Sequence, residues 1–200
     1  MAYRFFSVCH FYPLNSYIRR PEFQKVLETR RSVRKYDPNV SVTREQMEEL
    51  IRAAQEAPSW KNSQTGRYYC VLSEEIADKI RETCLPQARN AEKSKHAALI
   101  ISTFVHNCAG FQKDGITPEN EIGNGWGCYD LGLQNSNLIL KATDLGLSTL
   151  IMGLRESDKL REILSIPETE SVVAVIAVGK AAEEPTRKPR KSLDEITKFF

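Results

Sequence analysis

The sequence predicts an α+β domain in which helices pack on a central mixed or antiparallel sheet. Two stretches, 98–105 and 172–178, are almost wholly apolar and rich in β-branched residues, as interior strands are. Elsewhere apolar residues recur at helical spacing, most plainly Met47, Leu50, Ile51 and Ala54. A length of 200 residues with 41% hydrophobic residues suits one domain with a core of its own.

Residues 1–20 form an amino-terminal arm. Phe5, Phe6, Phe11, Tyr12 and Tyr17 make it apolar enough to dock on the rest of the protein. It lacks an unbroken apolar stretch and a small-residue cleavage site, so no signal peptide is expected. A single domain then occupies 21–200. A short helix over 22–31 places Phe23, Val26 and Leu27 on one side. The helix over 44–56 opens on a capping box, with Thr43 as N-cap and Gln46 at its third position, and stops at Pro58.

A strand over 68–72 follows, then a helix capped by Ser73 that carries Ile76, Ala77, Ile80 and Cys84. After the 98–105 strand come Gly110, Gly115, Gly123, Gly125 and Gly127, which predict a mobile loop or lid over 108–127. The helix over 130–144 is apolar around much of its circumference, so its own core or a partner subunit buries it. An extended segment over 150–153, a helix over 158–164 and the 172–178 strand complete the body. The tail, 180–200, turns basic and then amphipathic. It ends in Phe199-Phe200, two aromatics that need a surface to pack on.

A formal net charge of +2 is too small to mark a nucleic-acid binder. The longest apolar run, 97–105, is interrupted by Ser102 and Thr103 and is too short to span a bilayer. Neither nucleic acid nor membrane is expected as a partner. The cysteine count of 5 is odd and contains no C-x-x-C pair, which fits a reducing, cytoplasmic setting. Cys70 is expected in a buried strand and Cys84 on a helix, both as small apolar residues. His106-Asn107-Cys108 has no second ligand pair to complete a metal site, so no metal is expected. There is no G-x-S-x-G turn and no P-loop.

The chemistry therefore rests on three polar features. Arg30-Arg31-Ser32-Val33-Arg34 and Arg187-Lys188-Pro189-Arg190-Lys191 are basic clusters near opposite ends of the chain. Arginine suits phosphate because its planar fork donates two parallel hydrogen bonds. Between them lies a turn, Pro58-Ser59-Trp60-Lys61-Asn62-Ser63-Gln64, rich in side-chain amides and hydroxyls. In an extended stretch Asn62 and Gln64 would point to the same side and could read the edge of a heterocycle. Trp60 is either a stacking surface or a loop anchor. Gly153, after a short apolar segment, could offer its backbone N–H to a flat ligand. Two cationic groups and a hydrogen-bonding loop are what a phosphorylated planar cofactor needs.

These motifs, in this order, resemble the nitroreductase family of FMN-dependent oxidoreductases. The likeness covers roughly 22–196. It rests on Arg30-Arg31-Ser32-Val33-Arg34-Lys35-Tyr36, on Ala57-Pro58-Ser59 with Asn62 and Gln64, on Asp144-Leu145-Gly146-Leu147 leading to Ile151-Met152-Gly153, and on Lys188-Pro189-Arg190-Lys191-Ser192-Leu193.

The resemblance implies an intertwined homodimer with FMN at the subunit interface. NADH or NADPH would be the electron donor, and nitroaromatics or quinones the acceptors. It assigns the FMN phosphate and ribityl chain to Arg30, Arg31, Ser32 and Arg34, with Lys188 and Arg190 closing on the phosphate and nearby ring atoms. Asn62 and Gln64 should meet the flavin or its ribityl chain, and Ile151, Met152 and Gly153 should lie against the ring system. Pro58, Ser59 and Ser63 would come from the partner subunit, and the tail would dock on that subunit. Trp126 and Met152 are candidates for the acceptor site, Trp126 as lid or as scaffold. Many relatives carry Pro and an aromatic after the Gln, where this chain has Thr65-Gly66-Arg67, and some carry an acidic residue in place of Met152. Other readings on the same fold are reductive dehalogenation, flavin breakdown, or a non-catalytic protein that binds FMN or another anionic ligand.

Overall fold

The computed structural model describes residues 21–200. The amino-terminal arm, and the expectation that it docks, lie outside the described residues. Four strands, β1 (Gly66–Val71), β2 (Ala98–Val105), β3 (Ser148–Met152) and β4 (Glu170–Gly179), form one sheet. Their order is β1-β2-β4-β3, which makes β2 and β4 central. All three strand pairings are antiparallel. Among the described residues, parallel pairing is confined to the bridge between Ser32 and Thr149. Of the two sheet types expected, the strands adopt the antiparallel one.

Central position explains the composition of β2 and β4. Leu99, Ile101, Val175 and Ala177 face one side, where α3 (Glu74–Cys84) and α5 (Ser157–Leu164) contribute Ala77, Ile80, Cys84 and Leu160. Ile100, Ile176 and Val178 face the other, where α2 (Arg44–Gln55) and α4 (Gly125–Asp144) contribute Met47, Leu50, Ala54, Leu138 and Ala142. Alternation along a strand sends neighbours to opposite faces, and both faces are covered, so nearly every position is apolar. Each fully buried Leu, Ile or Val contributes about 1.5–3 kcal/mol relative to exposure.

Local signals set the helix ends. Gln46 N–H donates to Thr43 Oγ1 at 3.2 Å and Thr43 N–H to Gln46 Oε1 at 3.0 Å, the reciprocal box expected. Ser73 Oγ accepts from Ile76 N–H at the start of α3. α1 (Pro21–Thr29) ends two residues before its expected stop. α4 begins at Gly125, five residues earlier than the apolar pattern indicates. The glycines there read as loop formers, but Gly127 has a packing reason. A Cβ on it would lie 2.2 Å from the Phe104 ring. The expected loop therefore shrinks, and what remains is internally bonded. Phe111 bridges Pro118, Gln112 N–H donates to Thr117 O, and Asn107 and Asn124 pair through their side chains.

Cys70 differs from expectation, since it is exposed. β1 is an edge strand, which the sequence run did not reveal. Cys84 is buried in α3 as expected. α6 (Leu193–Ile196) sits in the tail with Leu193, Ile196, Phe199 and Phe200 all exposed in the single chain. No helix among the described residues is long and apolar enough to cross a membrane.

Candidate functional site

A short backbone ladder joins the two ends of the domain. Val33 N–H donates to Thr149 O at 3.0 Å, Asp37 N–H to Lys180 O at 2.9 Å, and Ala182 N–H to Lys35 O at 3.0 Å. The segment after α1 is thereby laid along β3 and along the chain leaving β4. Both basic clusters then line one cleft of about 360 Å³, with Arg30, Arg31, Ser32 and Arg34 on one side and Arg187, Lys188 and Arg190 on the other. Glu183, Glu184 and Thr186 also line it and were not foreseen. Only the ladder, which is long-range, places them there.

The cations are not equivalent. Arg31 Nη1 donates to Glu28 O at 2.5 Å and Arg30 O at 2.8 Å, so it caps the carboxyl end of α1. Arg34 Nη1 donates to Ser32 O at 3.1 Å. Lys35 pairs with Glu183 at 3.0 Å, both well exposed. Arg30, Lys188 and Arg190 make no side-chain hydrogen bond or ion pair among the described residues. Burial first, then Arg190, then Arg31 hold the Arg30 guanidinium below its ordinary pKa. Six cationic side chains line the cleft beside two carboxylates, Glu183 and Glu184, an excess of positive charge that suits an anion.

The Ser59–Gln64 region is a tight turn, as expected, and not an extended stretch in which Asn62 and Gln64 would share a side. Trp60–Asn62 is one 3₁₀ turn, and Lys61, Asn62 and Gln64 have φ of 46°, 57° and 47°. Asn tolerates this left-handed region, whereas Lys and Gln adopt it at a cost of about 1–3 kcal/mol. The two amides still meet, Gln64 Nε2 donating to Asn62 Oδ1 at 3.2 Å. Several anchors hold the turn. Trp60 N–H donates to Asp130 Oδ2 at 2.8 Å, Gln64 N–H to Ser59 Oγ at 3.0 Å, and Lys61 pairs with Glu119 at 2.5 Å.

The Trp60 ring lies 4.6 Å from that of Trp126, so Trp60 is an anchor. Trp126 is in the first turn of α4 and donates through Nε1 to Asn120 Oδ1 at 2.9 Å. Trp60 Nε1 and Ser63 Oγ are buried without a partner. Pro58 precedes this turn, and neither it nor any residue of the turn lines the basic cleft of the same chain.

Asp130 is 3% exposed, and burial raises its pKa above 3.8 although the Trp60 bond opposes this. A raised carboxyl pKa means that folding disfavours the charged form. The stability this group contributes is present below its unfolded pKa and is lost as pH rises through its folded pKa. Asp130→Asn should flatten that part of the pH–stability profile, read by urea unfolding across the acid range. Asp130→Ala should cost about 1–3 kcal/mol by leaving the Trp60 N–H unpaired. A wild-type profile in the Asn variant would remove Asp130 from this role.

At the end of β3, Ile151 is exposed and Met152 is buried, at 2%. The Met152 side chain belongs to the core on the α3 side. This corrects its candidacy as an acceptor contact. Nothing stands within 4 Å of a Cβ built on Gly153. A further residue escaped the sequence reading. Asn90, in the π-helical turn Gln87–Ala91, donates through Nδ2 to Leu154 O at 2.9 Å and so holds the segment after β3.

An antiparallel sheet with helices on both faces, and a cationic cleft where the chain ends converge, defines an α+β protein with a candidate anion site. The nitroreductase family profile matches residues 27–180, and the chain belongs to that family. It is 28% identical over 182 residues to FMN reductase (NAD(P)H) of Bacillus subtilis (strain 168), an alignment spanning 84% of this chain and 70% of that protein. It is also 28% identical over 214 residues to iodotyrosine deiodinase 1 of Sus scrofa, spanning 92% of this chain and 71% of that protein. The fold matches the crystal structure of an FMN complex from Exiguobacterium sibiricum 255-15 with a TM-score of 0.76. That match has 22% identity and covers 89% of this chain and 97% of that one.

Proposed function

We propose that this protein is an FMN-dependent oxidoreductase that takes electrons from NADH or NADPH and passes them to nitroaromatic, quinone or similar acceptors in a ping-pong cycle. The observation that carries this reading is the convergence of Arg30, Lys188 and Arg190, which form no ion pair among the described residues, in one cleft of about 360 Å³. A phosphate monoester fits that donor set. Bound FMN would supply the hydride and electron chemistry, which is why the chain needs no nucleophile of its own.

The residues divide the remaining work. Arg30, Lys188 and Arg190 hold the phosphate, with Ser32 as a hydroxyl donor. Arg31 and Arg34 set the local backbone. Asn62 and Gln64 present amides to the flavin or ribityl chain, and the backbone of Ile151, Met152 and Gly153 lies against the ring. Pro58, Ser59 and Ser63 reach the site from a second copy. The unpartnered Ser63 Oγ and the separation of this turn from the basic cleft within one chain support that composite arrangement. Trp126 serves as scaffold behind the turn, through Trp60. The soluble domain, 21–200, works in the cytoplasm, in keeping with its cysteine usage.

The dimer follows from surface left uncovered. Leu131, Leu138 and Ala142 of α4 are buried within the chain, while Leu133 and Leu140 are half-exposed and Tyr129 is exposed on another side. Phe23 and Leu27 of α1 and the apolar tail are exposed as well. A second copy covers this surface, and the tail docks on it. Leu133→Glu should weaken the dimer by roughly 100-fold while helix content is kept, because a desolvated unpaired charge costs about 3 kcal/mol or more. Sedimentation at micromolar concentration measures this. A wild-type protein that is monomeric and flavin-loaded would overturn the composite site.

Purified protein should be yellow and release FMN. Anaerobic NADH or NADPH should bleach it, and an acceptor should restore the colour. Colour without bleaching would mean a binding protein and would sink the enzymatic reading. Reductive dehalogenation is the second reading, favoured by the likeness to iodotyrosine deiodinase 1. Products identified from a nitroaromatic and an iodinated phenol decide between the two.

A further inference from the structure

A second cleft, of about 310 Å³, lies beside the Ser59–Gln64 turn and has a different chemistry. Its wall includes Ile51, Ala57, Gln64, Arg67, Tyr68 and Gln134, and no acidic residue lines it. We propose that this cleft binds a single-ring aromatic carboxylate, with Arg67 and Gln134 as the anion-holding pair. The binding site stands on these residues alone. The further step, that the bound carboxylate is the electron acceptor, rests on the oxidoreductase reading, because Gln64 belongs both to this cleft and to the turn assigned to the flavin.

Arg67 is positioned but not neutralised. Its Nη1 donates to Gln64 O at 2.9 Å and to Gly66 O at 2.8 Å, which fixes the guanidinium at the cleft. Nη2 and Nε have no acceptor among the described residues, and Arg67 forms no ion pair there. Gln134 is only 7% exposed. Its Oε1 accepts from the Tyr68 hydroxyl at 3.2 Å, while its Nε2 has no partner among the described residues.

Burial raises the Tyr68 pKa, so the phenol stays protonated and remains a donor. That leaves the amide N–H₂ of Gln134 free to donate to a ligand. A ligand acceptor can take a hydrogen bond from this donor, which no described residue uses. Gly66 permits the arrangement, since a Cβ there would lie 1.9 Å from Gln134 Oε1.

The balance of charges selects the ligand class. The first cleft gathers several cations, as a phosphate requires, whereas this one offers a single guanidinium and neutral amides. That set matches a monoanion. A carboxylate accepts bidentate donation from arginine and a further bond from an amide. Ile51 and Ala57 supply apolar wall, and the volume lies at the small end of ligand sites, enough for one ring. The chain carries Thr65-Gly66-Arg67 at the place where it departs from many relatives, so this selectivity belongs to its own sequence.

Calorimetric titration of the purified full-length protein with benzoate and with benzamide tests the site. The two are close in shape and differ in charge. Benzoate should bind about tenfold or more tighter than benzamide. Arg67→Gln should abolish that preference, and Arg67→Lys should restore part of it. Benzoate binding no tighter than benzamide in wild type, or undiminished in Arg67→Gln, would overturn the proposal. The wild-type comparison needs no variant to fold.

For the acceptor role, KM for 4-nitrobenzoate should lie below that for nitrobenzene, and the difference should vanish in Arg67→Gln. Equal KM values beside Arg67-dependent benzoate binding would overturn the acceptor assignment alone. Protein without FMN would bring down the oxidoreductase reading and the acceptor role with it, while the titration still decides the site.

Discussion

Leu138→Arg should leave no folded chain. Leu138 is 0% exposed and packs with Met47, Leu50, Ile100 and Ile176 where α2 and α4 meet the sheet. Removing the leucine side chain alone costs about 2–5 kcal/mol through lost burial and the cavity left behind. A guanidinium placed there adds the penalty for an unpaired buried charge, several kcal/mol more. Domains of this size hold a margin of about 5–15 kcal/mol, so the sum removes most or all of it. Leu138→Ala is the graded control and should lower the urea midpoint without changing the slope. Far-ultraviolet circular dichroism and urea titration read both variants. A well-folded Leu138→Arg protein, monomeric or dimeric, would mean that the residue is not in the core. The same position explains why an apolar helix need not be an interface helix on every side. Leu138 serves the chain's own core, while Leu133 and Leu140 remain for a second copy.

Features encoded locally were legible in the sequence. The capping box at Thr43 and Gln46 and the Ser73 cap depend on residues three apart, and both form. β2 occupies the predicted range because its composition answers to burial on two faces. What needed the third dimension was misread. Gly125 and Gly127 signalled a loop, yet Gly127 is there because the Phe104 ring leaves no room for a side chain. The Ser59–Gln64 segment was legible as a turn, but nothing in its sequence announces three left-handed residues held by Asp130 and Glu119.

The basic clusters were recognised, but their division of labour was not. Arg31 caps α1, and Glu183 enters the cleft, through contacts that only the folded chain supplies. Met152 illustrates the same limit. A short apolar strand shows which residues alternate, but not which of them the edge of the sheet turns outward.

Arg30→Ala and Arg190→Ala should each weaken FMN binding by roughly 10- to 100-fold. A hydrogen bond to a charged group is worth about 1.5–3 kcal/mol, and each guanidinium can give its phosphate two. The two residues share one anion, so the double variant should lose less than the sum of the singles. Arg31→Ala should behave differently. Its guanidinium is committed to Glu28 O and Arg30 O, so its loss should lower stability more than it lowers affinity. Fluorescence titration of apoprotein with FMN gives the affinities, and thermal melting of the same apoprotein separates binding from folding. Without ligand, Arg30 and Arg190 repel each other, which helps hold the Arg30 pKa down. Arg190→Ala apoprotein should therefore melt no lower than wild type, even as it loses FMN. Unchanged affinity in both single variants would take the phosphate away from this cleft. A fall in affinity matched by an equal fall in apoprotein melting temperature would make the two arginines structural and leave the phosphate to Lys188 and Ser32.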